Sequence, residues 1–316
     1  MAAFTIYNVL RYVTIKTTIM KKMLLFILLL VGTFALAQTK QQLMDSIVAR
    51  NELNDECRWM NCKEWEPYDS WQKLLKKINE GELVSLSKNN NAVLRMFATR
   101  ELILSGKGDA SGFLSDELKR NERVREVVAC LIGDDYTYHV VYFDYWNKIR
   151  IEARDAAKSD DEELVNNAIA ERVWQDSEMA QLDSLVIEQD NVEWLIYNKA
   201  FTNRKFDARY LPRIEQLAFR QHNMYALDHL QRHYNEKYKE QIASYWQNDF
   251  LKAEFGGENG IYYYNAAIEI LLDTKDLNYK NIAIAKLKND RSWEEHEAWF
   301  ENTLGDYGLT LEDVAK

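Results

Sequence analysis

LVSLSKNNNAVLRMFATREL, residues 83–102, is the stretch on which the fold turns. Leu83 and Leu86 put apolar side chains on one side of a short helix. Asn89, Asn90 and Asn91 then break the chain. Leu94, Phe97, Ala98 and Leu102 follow at i, i+3, i+4 and i+8, one stripe of a second helix. The scheme then repeats. Thirty residues on, Val124-Arg125 stands where Leu94-Arg95 stood, and Ile132 where Leu102 stood, with Val128 between them. Leu114 and Leu118 take the place of Leu83 and Leu86 after a small loop adjustment. A two-helix unit recurring every 30 residues predicts a stacked array. One hairpin cannot bury its apolar face alone, so its neighbours must cover it.

Outward from this stretch the helical period continues. Trp71, Leu74, Leu75 and Ile78 form a stripe with Asp69 and Ser70 as N-cap candidates, and Gly81 punctuates the chain after it. The aromatic run from Tyr136 opens like a strand, but Tyr138, Val141, Tyr142, Tyr145 and Trp146 also make a helical stripe, and a buried aromatic helix is predicted. Residues 160–204 read as two or three acidic helices. Asp160, Asp161, Glu162 and Glu163 crowd a helix start, where negative charge meets the positive end of the helix dipole. FGGENG, residues 255–260, reads as a turn before the apolar helix of residues 261–272. Two prolines and 11 glycines are too few for the turns of a β-sandwich or barrel. The expected class is all-α.

Residues 83–102 resemble a HEAT repeat: a Leu-x-x-Leu helix, a polar turn, a Val-Arg doublet, a small residue and a leucine. Leu83, Leu86, Leu94, Arg95, Ala98 and Leu102 fill that pattern, and Val124, Arg125, Val128 and Ile132 fill the next unit less completely. A third candidate around Pro212, Ile214, Leu217, Ala226 and Leu230 lacks the doublet arginine. Asn89 to Asn91 replace the usual turn aspartate, and the close match covers residues 80–133. The resemblance implies an α-solenoid whose surfaces hold protein partners, with Arg95 bridging adjacent repeats. An α/α toroid is the alternative arrangement.

Lys21-Lys22 precede an uncharged run from Met23 to Leu36 that ends in Ala35-Leu36-Ala37. Basic residues, an apolar core of about 14 residues and a small-residue end are the order of a signal peptide; a membrane-spanning helix needs about 20. Residues 20–37 are therefore expected to be a signal peptide. Residues 1–19 are expected to be a misassigned upstream extension, and residues 38–316 one helical-repeat domain. Periplasmic or secreted localisation follows, with no transmembrane segment in the mature chain.

Removing Arg11, Lys16, Lys21 and Lys22 lowers the 40 basic residues to 36 against 50 acidic ones, a net charge of −14 from Gln38 onward. Such a chain is repelled by nucleic acid. Cys57 and Cys62 are disulfide candidates for an exported chain, provided their segment is a loop, because a helix would separate them by about 7.5 Å. Cys130 reads as a small buried hydrophobe.

No catalytic motif stands out. His222, His229 and His233 fall at spacings of seven and four, and the last two would share a helix face. The glutamate of a two-histidine metalloprotease motif is missing, so a solvated helix surface is the plainer reading. Tyr262, Tyr263, Tyr264, Trp293 and Trp299, with Glu258 and Glu294, are the candidates for a glycan-active toroid. Aromatic stripes at helical spacing more often form core, and that applies also to Trp71, Trp146, Trp174, Trp194 and Trp246. The expected function is a non-catalytic, exported interaction scaffold with an unidentified protein partner and no metal or cofactor. A glycan-active or glycan-binding protein is the alternative.

Overall fold

A computed structural model of the protein describes residues 38–54, 66–128 and 131–315. The expected signal peptide and Cys57, Cys62 and Cys130 lie outside the described residues. Those residues are mostly helical, with fifteen α-helices and one small three-stranded sheet. No described helix is long and apolar enough to cross a membrane. The chain divides into two compact units, residues 1–98 with 124–134, and residues 99–123 with 135–316.

The first unit contains α1 (Lys40–Arg50), α2 (Glu66–Leu75), α3 (Glu80–Leu86) and the start of α4 (Ala92–Leu104). Local chemistry fixes the helix ends. Thr39 with Gln42, and Asn79 with Glu82, form reciprocal capping boxes that satisfy amides at the starts of α1 and α3. Helix α2 starts earlier than its apolar stripe suggests, with Pro67 in its first turn. Asp69 and Ser70 therefore lie inside the helix and do not cap it. The core gathers Leu43, Ile47, Trp71, Leu74, Leu83, Leu86, Leu94 and Phe97, with Trp71 stacked on Phe97 at 5.3 Å.

The asparagine turn between α3 and α4 forms as read. The Asn91 side chain accepts from the Leu94 amide, and Asn89 accepts from Asn91. Arg95 is fully buried, and its guanidinium donates to the carbonyls of Asn89 (2.8 Å) and Asn90 (3.2 Å). Arg95→Ala is therefore expected to cost about 2 kcal/mol in chemical denaturation, because a fully buried side chain is lost and two turn carbonyls lose a charged donor. An unchanged midpoint would remove Arg95 from the account of this turn.

The second expected repeat does not form as a helical pair. Val124, Arg125 and Ile132 lie on strands, not on a helix: β2 (Arg123–Val128) and β3 (Leu131–Tyr136). They extend a sheet of order β1-β2-β3, in which β1 (Glu52–Asn54) runs parallel to β2 with Glu52 opposite Arg125. The apolar spacing 124, 128, 132 is four, close to one helical turn but also a multiple of the strand period of two. Val124, Val127, Val128, Ile132 and Tyr136 are β-branched or aromatic, and that composition decides the case. Val124 is buried, whereas Ile132 is 62% exposed, unlike Leu102 at 1%.

The second unit is a set of helices packed both on chain neighbours and on helices further along the chain. It comprises α5 (Ala110–Arg120), α6 (Thr137–Ala157), α7 (Glu162–Gln175), α8 (Ser177–Ile187), α9 (Trp194–Asn203), α10 (Leu211–Glu215), α11 (Met224–Ser244), α12 (Gly260–Asp273), α13 (Leu277–Asn289), α14 (Glu297–Asp306) and α15 (Leu311–Val314). The aromatic run does form a helix, α6, and Tyr138, Val141 and Tyr142 are buried in it. Asp161 caps α7 from within the acidic cluster, accepting from the amides of Glu163 and Leu164. Trp246 is buried and Trp146 and Trp194 half-buried, but Trp174 is 59% exposed.

Candidate functional site

The site begins with the glycine-rich turn. Gly257 has φ +75°, and a Cβ at Gly260 would run into the Phe255 carbonyl, so the turn needs glycine at both places. The turn brings Asn259 to the start of α9. Asn259 accepts from the Trp194 amide (3.0 Å) and donates to the Val192 carbonyl (3.1 Å). Trp194 is thereby held against the first turn of α12, and its ring stacks on Tyr262 at 4.2 Å and 11°.

From Tyr262, one face of α12 carries Tyr262, Asn265, Glu269 and Asp273, at i, i+3, i+7 and i+11. Trp194 and Asn198 on α9, Tyr225 and Asp228 on α11, and Trp299 on α14 complete a cleft of about 320 Å³. That is the low end of ligand-pocket size, enough for one long side chain or one sugar ring. Tyr225 lies 6.3 Å from Trp194, and Trp299 lies 5.4 Å from Tyr262, so four half-buried rings form the walls.

The polar groups are carboxylates and amides. Glu269 accepts from Asn265 (2.8 Å), Asp273 accepts from the Tyr307 hydroxyl (2.7 Å), and Asp228 pairs with Arg232. Among the described residues no lysine or arginine forms an ion pair with Glu269 or Asp273. Burial raises the pKa of Glu269, and the charges of Asp273 and Asp306 push it the same way. Burial likewise raises that of Asp228 despite Arg232, with Asp273 adding repulsion. The cleft thus holds negative charge at a desolvation cost that a positive ligand would relieve. A larger and more open groove of about 630 Å³ runs past Ser111, Ser115, Gln181, Ser184 and Tyr210. It has one aromatic residue, and its charged residues, Asp109, Glu188 and Arg209, are of mixed sign.

The candidates named from sequence divide. Tyr262 and Trp299 line the cleft. Tyr264 and Trp293 are core residues, donating to the carbonyls of Asp290 and Leu287, and Tyr263 packs edge-on against Tyr225. Glu258 pairs with Arg123 and accepts from Tyr136, and Glu294 pairs with Arg291, both away from the cleft. Trp194, expected in the core, instead lines the cleft, as do Tyr225, Asp228, Glu269 and Asp273, which sequence reasoning missed. The signal for Glu269 and Asp273 is their helical spacing from Tyr262 among the apolar residues of α12, whereas Tyr225 and Asp228 come from α11.

The histidines do not form a metal site together. His229 is fully buried; its Nδ1 donates to the Phe201 carbonyl (3.3 Å), and its Nε2 accepts from the Phe206 amide (3.4 Å). Both ring nitrogens are used, and burial, with neighbouring His233, pushes its pKa down to about 4. His222 sits in the turn before α11 with φ +53° and bonds the Tyr245 hydroxyl.

No known protein family, curated protein or solved structure matches the chain.

Proposed function

We propose that the protein is an exported, non-catalytic interaction protein whose cleft between α9, α11, α12 and α14 takes a positively charged side chain of a protein partner. The observation that carries this reading is the combination of four aromatic walls with Glu269 and Asp273, which have no basic ion-pair partner among the described residues. A lysine or arginine there gains cation–π contact with the rings and charge-assisted hydrogen bonds to the carboxylates. Its apolar stem fits the ring faces. The helical succession of the second unit, read as a HEAT-like array, supplies the rigid frame on which such a cleft is held.

Isothermal titration of the mature chain with a lysine-bearing peptide tests the proposal. Glu269→Gln and Trp194→Ala are each expected to weaken binding about tenfold or more, the loss of one charged or stacking contact of roughly 1.5 kcal/mol. Glu301→Gln, outside the cleft, should leave it unchanged. Equal affinities in all three variants would mean that the peptide reads only net charge.

The stacked Trp194 and Tyr262 rings also favour a second reading, a sugar unit laid on an aromatic face. A neutral oligosaccharide bound in the absence of any basic peptide, and lost in Trp194→Ala, would replace the first reading with this one.

A further inference from the structure

We propose that Asp135, His139 and Glu193 form a binding site for a divalent transition-metal ion of the zinc type. One ligand atom from each residue can be chosen so that all three lie within 4.8 Å of one another. Around a tetrahedral zinc with bonds near 2.1 Å, ligand atoms stand about 3.4 Å apart, so rotations of about an ångström complete the set. His139 Nδ1 already meets Glu193 Oε2. The three residues come from separate segments: the end of β3, the first turn of α6, and the position just before α9.

An isolated histidine–glutamate contact would be an ordinary ion pair. Asp135 changes the balance, because it brings a second carboxylate beside Glu193. Among the described residues no lysine or arginine pairs with either carboxylate, and one imidazolium supplies at most one positive charge. A divalent cation neutralises both carboxylates and leaves the imidazole neutral as a nitrogen donor. All three ligands are half-buried, so water can reach the fourth coordination position. The donor set selects the metal class. One imidazole and two carboxylates suit zinc and its first-row neighbours. Calcium takes six to eight oxygen ligands, which this set does not supply. Glu193 adjoins Trp194, so a bound ion would also anchor the start of α9 where it walls the cleft.

The test is calorimetric titration of chelator-stripped mature protein with zinc chloride. One ion per chain is expected, with affinity at least tenfold weaker in His139→Ala and in Asp135→Asn. His233→Ala should bind as the natural protein does. Circular dichroism checks that the variants fold, and the near-isosteric Asp135→Asn decides the matter if His139→Ala does not fold. No stoichiometric zinc in the natural protein, or full affinity in Asp135→Asn, overturns the site. Calcium binding as tight as zinc overturns the assigned metal class.

Discussion

Asp183→Ala is expected to destabilise the helical unit by about 3–5 kcal/mol, the cost of leaving a buried charge without its partner. Asp183 on α8 is fully buried. It accepts from the Tyr142 hydroxyl (2.6 Å) on α6, from Arg204 Nε (2.6 Å), and from the Asn203 amide (3.2 Å). Arg204 also donates to the carbonyls of Val173 and Trp174 at the end of α7. One carboxylate thus joins three helices and the segment after α9. Burial raises its pKa to about 6 against the pull of the Arg204 guanidinium, which at 2.6 Å favours the ionised form, and of the hydrogen bonds. Removing it strands a guanidinium that is 11% exposed. Urea unfolding followed by far-ultraviolet circular dichroism measures the effect. Replacing both charges, Asp183→Leu with Arg204→Met, should recover much of the loss, because two apolar groups carry no unpaired charge. A single-variant loss below about 1 kcal/mol would show that the network contributes little.

The second large effect is a loss of stability on acidification through His229. Its pKa is about 4 in the folded chain and 6.5 in the unfolded chain. The folded form therefore resists protonation. The stabilisation is fully present above pH 6.5 and is lost as pH falls toward 4, at about 1.4 kcal/mol per pH unit. The total approaches about 3 kcal/mol by pH 4. His222 and His233 are shifted down by burial and act in the same direction. The raised carboxylates Asp183, Asp228 and Glu269 act oppositely, since their folded forms hold protons more tightly. Comparison with His229→Gln isolates the histidine. The natural protein should lose stability more steeply than the variant between pH 6.5 and 4. Parallel slopes would mean that His229 does not titrate across this range.

The helical class was legible because Leu94, Phe97, Ala98 and Leu102 leave no strand alternative, and because prolines are nearly absent. Local punctuation was legible too: Asn89 to Asn91, the acidic start at Asp161, and the turn at Gly257 all depend on short-range chemistry. The strands at Val124 and Ile132 were not, since a spacing of four fits both periods and the partner strand, Glu52–Asn54, lies some seventy residues away. The cleft was half legible. Tyr262 and Trp299 could be suspected as aromatics, but Trp194 and Asp228 reach it only through the packing of four helices. The function of Asn259 as the strut beneath Trp194 depends on a contact 65 residues distant. The ligand triad likewise joins Asp135 and His139, four residues apart, to Glu193, which sequence spacing does not connect.

The most direct test of the cleft is nitrogen-15 NMR of residues 38–316 titrated with a lysine-bearing peptide, followed by the same peptide with its lysine acetylated. The indole resonances of Trp194 and Trp299 are expected to move with the charged peptide and stay in place with the acetylated one. Equal movement with both peptides, or shifts scattered over the acidic exterior with these two indoles unmoved, would contradict the proposal.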